Sequence, residues 1–406
     1  MAKTWWPGGL VSGRGVLAGL LVAVIAATTV FVQLGAFGAP AGALASPTAS
    51  PGRPSASPIG SSTAGPTAAA TPAVTPEPTQ PTVTFVPAPL TGLLVDPRAA
   101  IRHPIAVMVD DHIGARPQSG FNAAAVVWQA PAEGGIPRYM LIFQDRIPGA
   151  VGPIRSAREY YIDWAAEWDA MYVHHGGSPQ ALETLRLDGH GQLVWNADGF
   201  RWSPAYMWRN LDRPAPHNVY SDGTHLRELA PRLGANDGPI EPAWSFAADD
   251  STVRPLGGTL KVVYPYESIL FRYDPVRNAY LRYINGSKKP QVDAADGQVV
   301  APANVVLLRM HFGPLTANDP HHRLEAADVG HGDAWILTGG RTIHGTWRKA
   351  AVDGPTLLFD AKGLPVVMAP GQTFVEVLAL TYGYSVHPGT VPPPPDRDLE
   401  ARLAPI

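Results

Sequence analysis

His103-Pro-Ile-Ala-Val-Met-Val-Asp-Asp-His112 is the stretch that decides the fold, because a short apolar run stands there between a proline and two acids. Such a run with turn signals at both ends is typical of a buried strand. The strand would end at Asp110 and Asp111, so its carboxyl end would present two carboxylates. Residues 124–128, 138–143 and 171–174 have the same character, and we predict a strand for each.

Two helix starts follow these strands. Ser156-Ala-Arg-Glu159 matches a capping box, in which the serine oxygen accepts from a first-turn N–H and the glutamate reaches back. Tyr160, Trp164 and Trp168 then recur every four residues, so we predict a helix with an aromatic face. Ser178-Pro179 predicts a second helix, because a hydroxyl cap precedes a proline at the first helical position.

Both helices would begin beside arginines and glycines, which favours an anionic ligand. A helix N-terminus exposes N–H groups, and glycine lets a ligand approach the backbone closely. Arginine adds a planar fork that fits carboxylate and phosphate groups. The alternative is that the arginines pair with nearby acids and hold the loops together. The candidate ligand-binding residues are His112, Arg116, Arg138, Arg155, Ser156, Arg158, His175, Gly176, Gly177 and Asn218.

The candidate catalytic residues are Asp110, Asp111, Glu133, His174 and His217. Three chemistries stay open. A serine nucleophile lacks the Gly-x-Ser-x-Gly elbow, and Ser156 and Ser178 are better explained as helix caps. A metal site could use the acids and histidines, although no His-x-x-x-His spacing is present. Paired carboxylates could cleave a glycoside. The sequence identifies neither a metal nor a cofactor.

These residues are expected to lie close together, since α/β domains bind ligands at the carboxyl ends of their strands. We therefore predict one cleft, which lies wholly or mainly in the N-terminal part of the fold. Its members are Asp110, Asp111, His112, Arg116, Glu133, Arg155, Arg158, His174, His175 and His217.

The same stretches resemble the motifs of the YerB-like lipoprotein family. The strings that carry the resemblance are residues 103–112, Arg116-Pro-Gln-Ser-Gly120, Glu133-Gly-Gly135, Gly152-Pro-Ile-Arg-Ser-Ala-Arg158, His174-His-Gly-Gly-Ser178 and Pro216-His-Asn218. It runs from about residue 89 to about residue 380. The resemblance implies a larger N-terminal domain, a smaller C-terminal domain and a place in the cell envelope. It implies no reaction, because the family is one of unknown function.

The N-terminus predicts export. Lys3 and Arg14 precede the strongly apolar residues 16–32, which suffice for one short membrane span with the N-terminus in the cytoplasm. We therefore predict a single-pass anchor within residues 1–38 and an extracytoplasmic bulk. A cleaved signal peptide is the alternative, because Ala43-Leu-Ala45 has the form of a cleavage site. The chain has no cysteine, so it departs from lipoproteins that carry a lipid on that residue.

The remaining composition sets the predicted domain order, and the predicted fold class is α+β. Residues 39–88 are almost entirely Ala, Pro, Ser, Thr and Gly, which predicts a disordered linker. An α/β-like domain at 89–240, which ends in a helix over 223–233, would carry the site. Short strands then predict a mostly antiparallel β domain at 255–385, and a Pro-rich tail would occupy 386–406.

Two functions stay open. A net charge of only -3 gives no reason to expect nucleic acid as a partner. The first function is binding of an anionic or glycan envelope ligand, or of a protein partner, through the arginines, the helix N-termini and the aromatic loop at 193–208. The second is a hydrolase or transferase that acts on a cell-wall polymer, with or without a metal. Asp111 or Glu133 would then be the acid/base, assisted by His174 or His217.

Overall fold

The computed structural model describes residues 84–186, 193–248 and 253–391. The predicted anchor, the cleavage site, residues 39–83 of the linker and the end of the tail lie outside these ranges. The predicted linker extends too far at its end. Val86–Pro87 pairs with Leu94–Val95 and Ala88 is buried, so residues 86–88 belong to the fold. No helix in the described ranges has the length and apolar character needed to cross a membrane.

The described chain is rich in strands and has few helices, as the mixed α and β class requires. Its strands are β1 (Val86–Pro87), β2 (Leu94–Val95), β3 (Ile105–Asp110), β4 (Val126–Ala130), β5 (Arg138–Phe143), β6 (Met171–His174), β7 (Trp195–Asp198), β8 (Trp208–Arg209), β9 (Val219–Tyr220), β10 (Ser245–Phe246), β11 (Leu256–Val263), β12 (Ser268–Asp274), β13 (Ala279–Ile284), β14 (Asn304–Met310), β15 (Phe312–Pro314), β16 (Leu324–Ala326), β17 (Gly330–Thr338), β18 (Arg341–Lys349), β19 (Leu357–Asp360), β20 (Val367–Met368), β21 (Thr373–Ala379) and β22 (Tyr384–Thr390). Its helices are α1 (Pro97–Ala100), α2 (Glu159–Ala166), α3 (Pro179–Leu185), α4 (Gly199–Trp202) and α5 (Gly223–Leu233), with single 3-10 turns at Ile113–Ala115, Phe121–Ala123 and Glu133–Gly135.

The central element is a mixed sheet of ten strands in the order β19-β18-β17-β14-β21-β4-β5-β3-β6-β7. Strand β21 from the C-terminal half pairs in parallel with β4 from the N-terminal half, with Phe374 opposite Val127. The two predicted domains therefore share one sheet, and their division stays a prediction. Seven of the strands run in one direction (β3, β4, β6, β7, β14, β18 and β21), so their carboxyl ends meet at one edge. We call this the carboxyl edge.

Both faces of the ten-stranded sheet are covered. On one face Trp164 of α2 stacks on Trp128 of β4, with the ring centroids 4.8 Å apart. On the other face lie α5 and a four-stranded antiparallel sheet in the order β13-β12-β11-β22. There the rings of Phe271 and Phe374 meet at 5.3 Å. Each core therefore contains side chains from both halves of the sequence, and aromatic rings supply much of its apolar area.

Most predicted elements of the N-terminal half are confirmed. The strands at 138–143 and 171–174 match β5 and β6, and the helix at 223–233 matches α5. Ser178 caps α3 as predicted, since its Oγ accepts from the N–H of Ala181 at 3.1 Å.

The predicted capping box at Ser156 is wrong. Arg158 is the residue that precedes α2, and Ser156 instead donates to the carbonyl of His175.

The C-terminal half is mostly antiparallel, as predicted, because short alternating strands are joined by tight turns. The hairpin expected at 270–282 is formed by β12 and β13, with Asp274 opposite Ala279. The fold continues further than expected. Strand β22 extends to Thr390, past the predicted start of the tail at 386, because it closes the four-stranded sheet against β11.

Candidate functional site

The first polar cluster forms where β3 ends at the carboxyl edge. Oδ2 of Asp110 lies 2.6 Å from Nδ1 of His217 and 3.0 Å from Nε of Arg155. The ring of His112 stacks on that of His217, with the centroids 4.6 Å apart and the planes within 6°. We call His112 and His217 the histidine pair. The loop that carries His217 is thus fixed to the strand end by a charged contact and a ring contact.

In their neutral forms, the two rings of the histidine pair are given opposite tautomers by their hydrogen bonds. Nδ1 of His112 accepts from the N–H of Gly114 at 3.0 Å, so its proton is on Nε2. Nδ1 of His217 donates to the Asp110 carboxylate, so its Nε2 carries a lone pair. Within the described chain neither Nε2 has a hydrogen-bond partner, and neither is enclosed. One ring therefore offers a donor and the other an acceptor.

The second polar cluster is buried between the two sheets. Nε2 of Gln129 donates to Asp111 Oδ2 and to Glu267 Oε1, each at 2.7 Å, and its Oε1 accepts from Arg282 at 2.5 Å. Arg116 contacts both carboxyls. We call Asp111, Arg116, Gln129, Glu267, Arg282 and Glu376 the seam network, because these residues join the two halves of the chain.

The seam network holds more acids than bases. Three carboxyls face two guanidinium groups, and the side chains of Arg282 and Glu376 are fully buried 3.9 Å apart. Burial, aided by the neighbouring carboxyl of Glu267, raises the pKa of Asp111 well above its ordinary value. Burial also raises the pKa of Glu376 to about 7, against the opposing effect of Arg282. The network therefore retains protons that a solvated set of acids would lose.

A pocket of about 260 Å³ opens above this network. Its polar lining includes Asp111, Arg116 and Glu267, and its rim carries the exposed side chains of Ile113 and Tyr266, which are 75% and 72% exposed. The other lining residues are His112, Ile136, Pro137 and Asn285. The C-terminal half thus supplies a third of the lining, in addition to the N-terminal residues that the sequence nominated.

The remaining nominated acid lies in a separate ion cluster. Glu133 is bound by Arg158, with Nε 2.7 Å from Oε2, and by Arg138 at 3.3 Å. Burial lowers the pKa of Arg158, whose side chain is almost fully enclosed. Here the arginines pair with an acid and hold the loop in place, which was the alternative to anion binding.

His174 and the two glycines that follow it serve packing. His174 is fully buried, and its ring nitrogens face Gly176 O and Asn196 Oδ1, each at 2.8 Å. The space beside Gly176, where a ligand was expected to approach, holds the ring of Phe200. Leu182 fills the corresponding space beside Gly177.

His175 turns toward the loop that carries His217. Its ring contacts that of Phe200, which is 73% exposed, and its Nε2 lies 3.5 Å from Arg209. Burial and the charge of Arg209 lower the pKa of His175. Asn218 holds this loop, because its Oδ1 accepts from Arg209 at 2.7 Å.

The ten residues predicted to converge therefore lie near the carboxyl edge, but in distinct networks. Asp110, His112, Arg155 and His217 form one group, Asp111 and Arg116 belong to the seam network, and Glu133 and Arg158 form a third. Among the described residues no three His, Asp or Glu side chains are placed to hold a metal ion.

Known proteins match this chain over the region that contains all of these groups. Family models described as "Protein of unknown function (DUF3048)" match residues 90–236 with the N-terminal domain and 260–375 with the C-terminal domain. A Bacillus subtilis (strain 168) protein, "Putative lipoprotein YerB", is 30% identical over 305 residues, which are 72% of this chain and 86% of that protein. The chain belongs to the YerB-like DUF3048 family.

The fold of this YerB-like chain agrees with a solved relative. The crystal structure of the YerB protein from Bacillus subtilis superposes with a TM-score of 0.65 and 27% identity, over 74% of this chain and 99% of that one. The resemblance seen in the motifs is thereby confirmed. It brings architecture and kinship with a lipoprotein, and the family description assigns no activity.

Several site residues of this YerB-like chain were missed from the sequence. Glu267 lies in the turn just before β12 and Arg282 lies in β13, a region that the sequence presents as ordinary hairpin. No local motif marks either residue as a neighbour of Asp111. Arg209 and Arg213 follow directly after the aromatic loop at 193–208, whose rings were the more prominent feature of the sequence. A signal was present for Arg282 alone, since a charged residue in the middle of an apolar strand is unusual.

Proposed function

We propose that this chain is a membrane-tethered extracytoplasmic protein that binds an anionic component of the cell envelope at the carboxyl edge. The tether is the apolar N-terminal segment, because the chain has no cysteine to carry a lipid. Kinship with a Bacillus subtilis lipoprotein supports the same side of the membrane. The proline-rich linker would give the binding region reach toward wall polymers.

The proposal is carried by the hydrogen-bond partners of two arginines in the region of His217, Arg209 and Arg213. Arg213 donates to the carbonyls of Ala115 and Pro117, at 2.7 and 2.8 Å, and its guanidinium lies 5.8 Å from the ring centroid of Tyr220. Arg209 donates to the Asn218 amide oxygen. Every partner described for these two is neutral, so their charge is left to act on a ligand. An anion gains charge-assisted hydrogen bonds from such groups.

The arginines nominated from the sequence contrast with these two. Arg155 faces Asp110, and Arg116 faces Asp111 and Glu267. Their charges are offset inside the protein, so they position the loops. We therefore propose that the anion binds at the loop that carries His217, and not at the start of α2 as the sequence suggested.

A glycan is the second candidate, and the exposed ring of Tyr266 at the pocket rim favours it. Sugar C–H groups stack on such rings, and a solvent-exposed aromatic beside a polar pocket is a common sign of a binding surface. The pocket volume of about 260 Å³ lies just below the range of ~300 Å³ upward found for drug-sized ligands. One sugar ring, rather than a long oligosaccharide, would fill it.

Sedimentation with purified cell walls separates the two ligands. The full chain in detergent would be mixed with intact walls and with walls whose phosphate polymers have been removed by acid. We expect binding to intact walls only, with an affinity that falls as salt rises, because salt screens exposed charges. Equal binding to both preparations would overturn the anionic proposal, and a loss in Tyr266→Ala would then support the glycan.

A matched pair of variants tests whether Arg213 binds the anionic ligand. Arg213→Gln should weaken binding about tenfold, the effect of ~1.4 kcal/mol from one charge-assisted contact. Arg272→Gln is the control, since Arg272 is exposed and, like Arg213, lies over a tyrosine ring, at 5.3 Å from the centroid of Tyr283. It should bind as the wild type does. Equal losses in both variants would indicate non-specific attraction to positive charge.

A further inference from the structure

We propose that a second pocket, at the opposite edge of the ten-stranded sheet, binds a small zwitterion that carries a carboxylate and an ammonium group close together, of which an α-amino acid is the simplest. This edge is where β3 begins and β5 ends, and we call it the amino edge. The pocket has a volume of about 520 Å³, within the range of ~300 to 1,000 Å³ found for small-molecule sites. It is separate from the anion site proposed at the loop that carries His217.

Three charged side chains line this pocket, and within the described chain none of them forms an ion pair. They are Arg102, Arg227 and Asp237. Arg102 donates to the backbone carbonyl of Asp145 at 2.8 Å, and Asp237 Oδ1 accepts from the backbone N–H of His103 at 2.9 Å. Arg227 also donates to backbone carbonyls only. Two guanidinium groups and one carboxylate therefore share a cavity in which their described partners are neutral.

Arg227 has a buried donor without an acceptor. Its Nη atoms bind carbonyls just before β3 and at the end of β5, which holds α5 against the sheet. Its Nε is buried and has no hydrogen-bond partner within the described chain. Burial lowers the pKa of Arg227 to about 10, and the charge of Arg102 adds to this effect. The carboxylates of Asp237 and Asp145 oppose the shift without offsetting it, so a bound carboxylate would supply charge that this cation lacks.

Asp237 favours a zwitterion over a simple anion. Its exposed carboxylate lines the same pocket as the two arginines and would repel a ligand that is only negative. An ammonium group on the ligand donates to a carboxylate and needs no acceptor of its own, so it would turn this repulsion into a contact. The planar guanidinium groups suit the carboxylate end of the same ligand. Ile147, Ala230 and Pro231 complete the wall, where a small apolar side chain would pack.

Other exposed arginines near this edge have acidic partners. Arg146 lies 3.9 Å from Asp145, and Arg277 pairs with Asp274 at 2.5 Å. Both line another pocket, beside the start of β21. Ion pairing is therefore the ordinary state of a surface arginine here, and the unpaired charges of the 520 Å³ pocket distinguish it.

Three probes that differ by one charged group test the site. The full chain in detergent would be titrated with alanine, propionate and ethylamine, each labelled with ¹³C on its methyl group so that NMR reports the affinity. Propionate lacks the ammonium group and ethylamine lacks the carboxylate. We expect alanine to bind at least about tenfold more tightly than either, because only alanine can contact both the guanidinium groups and Asp237.

Two variants separate the two ends of the ligand. Arg102→Gln should weaken the binding of alanine and of propionate by a similar factor of about ten, since both present a carboxylate. Asp237→Asn should lower the affinity for alanine to that for propionate, while propionate should bind as before or more tightly. The asparagine oxygen can still accept from the N–H of His103, so this variant keeps the contact described for the wild type.

Arg98→Gln is the matched control, because Arg98 is exposed on α1 and does not line the pocket. It should bind alanine as the wild type does. The inference would be overturned by absence of saturable alanine binding, by equal affinities of the wild type for alanine and propionate, or by unchanged alanine binding in both pocket variants. A loss of wall sedimentation in Arg102→Gln as large as in Arg213→Gln would also overturn it, because Arg102 would then bind the wall polymer.

Discussion

Asp110 and Asp111 are neighbours in the chain, yet their side chains belong to two different kinds of polar network. Asp111 lies in the seam network, where its carboxyl is fully buried and contacted by Arg116 and Gln129. Asp110 holds the histidine pair, whose Nε2 atoms stay open within the described chain. Neighbouring residues at a strand end point to opposite sides, so a single strand supplies both networks.

The comparison teaches how to separate structural from functional polar groups in this fold. The seam network is closed, since Gln129 and the two arginines contact its carboxyls from both halves of the chain. The group around Asp110 is partly open. Within the described chain the Nε2 atoms of His112 and His217 offer one donor and one acceptor, and the nearby Arg209 and Arg213 have only neutral partners. Burial raises pKa values in the first network, whose side chains are bound to one another at the base of the pocket. The second group has atoms that can contact a ligand.

The largest effect should come from removing the buried cation of the seam network. Arg282→Met should lower the free energy of unfolding by about 3 to 5 kcal/mol, because it leaves the buried Glu376 carboxyl without its neighbouring cation. Urea unfolding followed by tryptophan fluorescence measures this. Arg277→Met is the control, since Arg277 is exposed in its pair with Asp274, and it should cost less than about 1 kcal/mol. Equal costs would show that the seam network is not a closed structural unit.

A second effect should appear in the pH dependence of stability. Glu376 titrates near 7 in the folded chain and near 4.5 in the unfolded one, so the folded state binds its proton more tightly. Its contribution to stability is therefore complete below about pH 4.5 and is lost as the pH rises through 7. That loss is on the order of 3 kcal/mol. Glu376→Gln lacks this titration.

The measurement is the difference in unfolding free energy between wild type and Glu376→Gln at pH 5 and pH 8. Contributions of the other groups largely cancel in the difference, and wild type should lose more stability than the variant over this interval. Glu228→Gln, an exposed helix position, should run parallel to wild type. A difference that does not change with pH, or that changes in the opposite direction, would contradict a raised pKa at Glu376.

The smallest effect is expected at Asp111 itself. Burial and the neighbouring carboxyl of Glu267 raise the pKa of Asp111 well above its ordinary value, which favours the protonated carboxyl. An asparagine amide can donate in place of that proton, so Asp111→Asn should change the unfolding free energy at pH 7 by no more than about 1 kcal/mol, the scale of one hydrogen bond. Wall binding should be unaffected. A loss of several kcal/mol would mean that Asp111 is ionised and that the two networks are more alike than described.

The sequence predicted the strands of the sheet because their signals are local. The apolar run before Asp110 and the cap at Ser178 depend only on neighbouring residues, and both are confirmed. The capping box at Ser156 was wrong because α2 begins only at Glu159, and the carboxylate of Glu159 accepts from Ser178 instead of reaching back to Ser156. Propensity is a weak guide where such contacts are available.

The site was predicted in place more than in detail. Motif residues indicated the carboxyl edge, because functional loops there carry histidines and arginines. The division into networks could not be predicted, since Gln129 binds Glu267 and Arg282, which are 138 and 153 positions away in the chain. Which arginines keep their charge available depends on these distant acids. Arg209 and Arg213 became candidates because, within the described ranges, their hydrogen-bond partners are neutral groups.

The proton positions in the histidine pair test the central claim most directly. Long-range nitrogen–proton NMR of the full chain labelled with ¹⁵N-histidine distinguishes the two tautomers of each neutral ring, and His112→Gln and His217→Gln assign the signals among the 13 histidines. At a pH where both rings are neutral, His112 should carry its proton on Nε2 and His217 on Nδ1. Finding both rings in the same tautomer would contradict the donor and acceptor roles given to them.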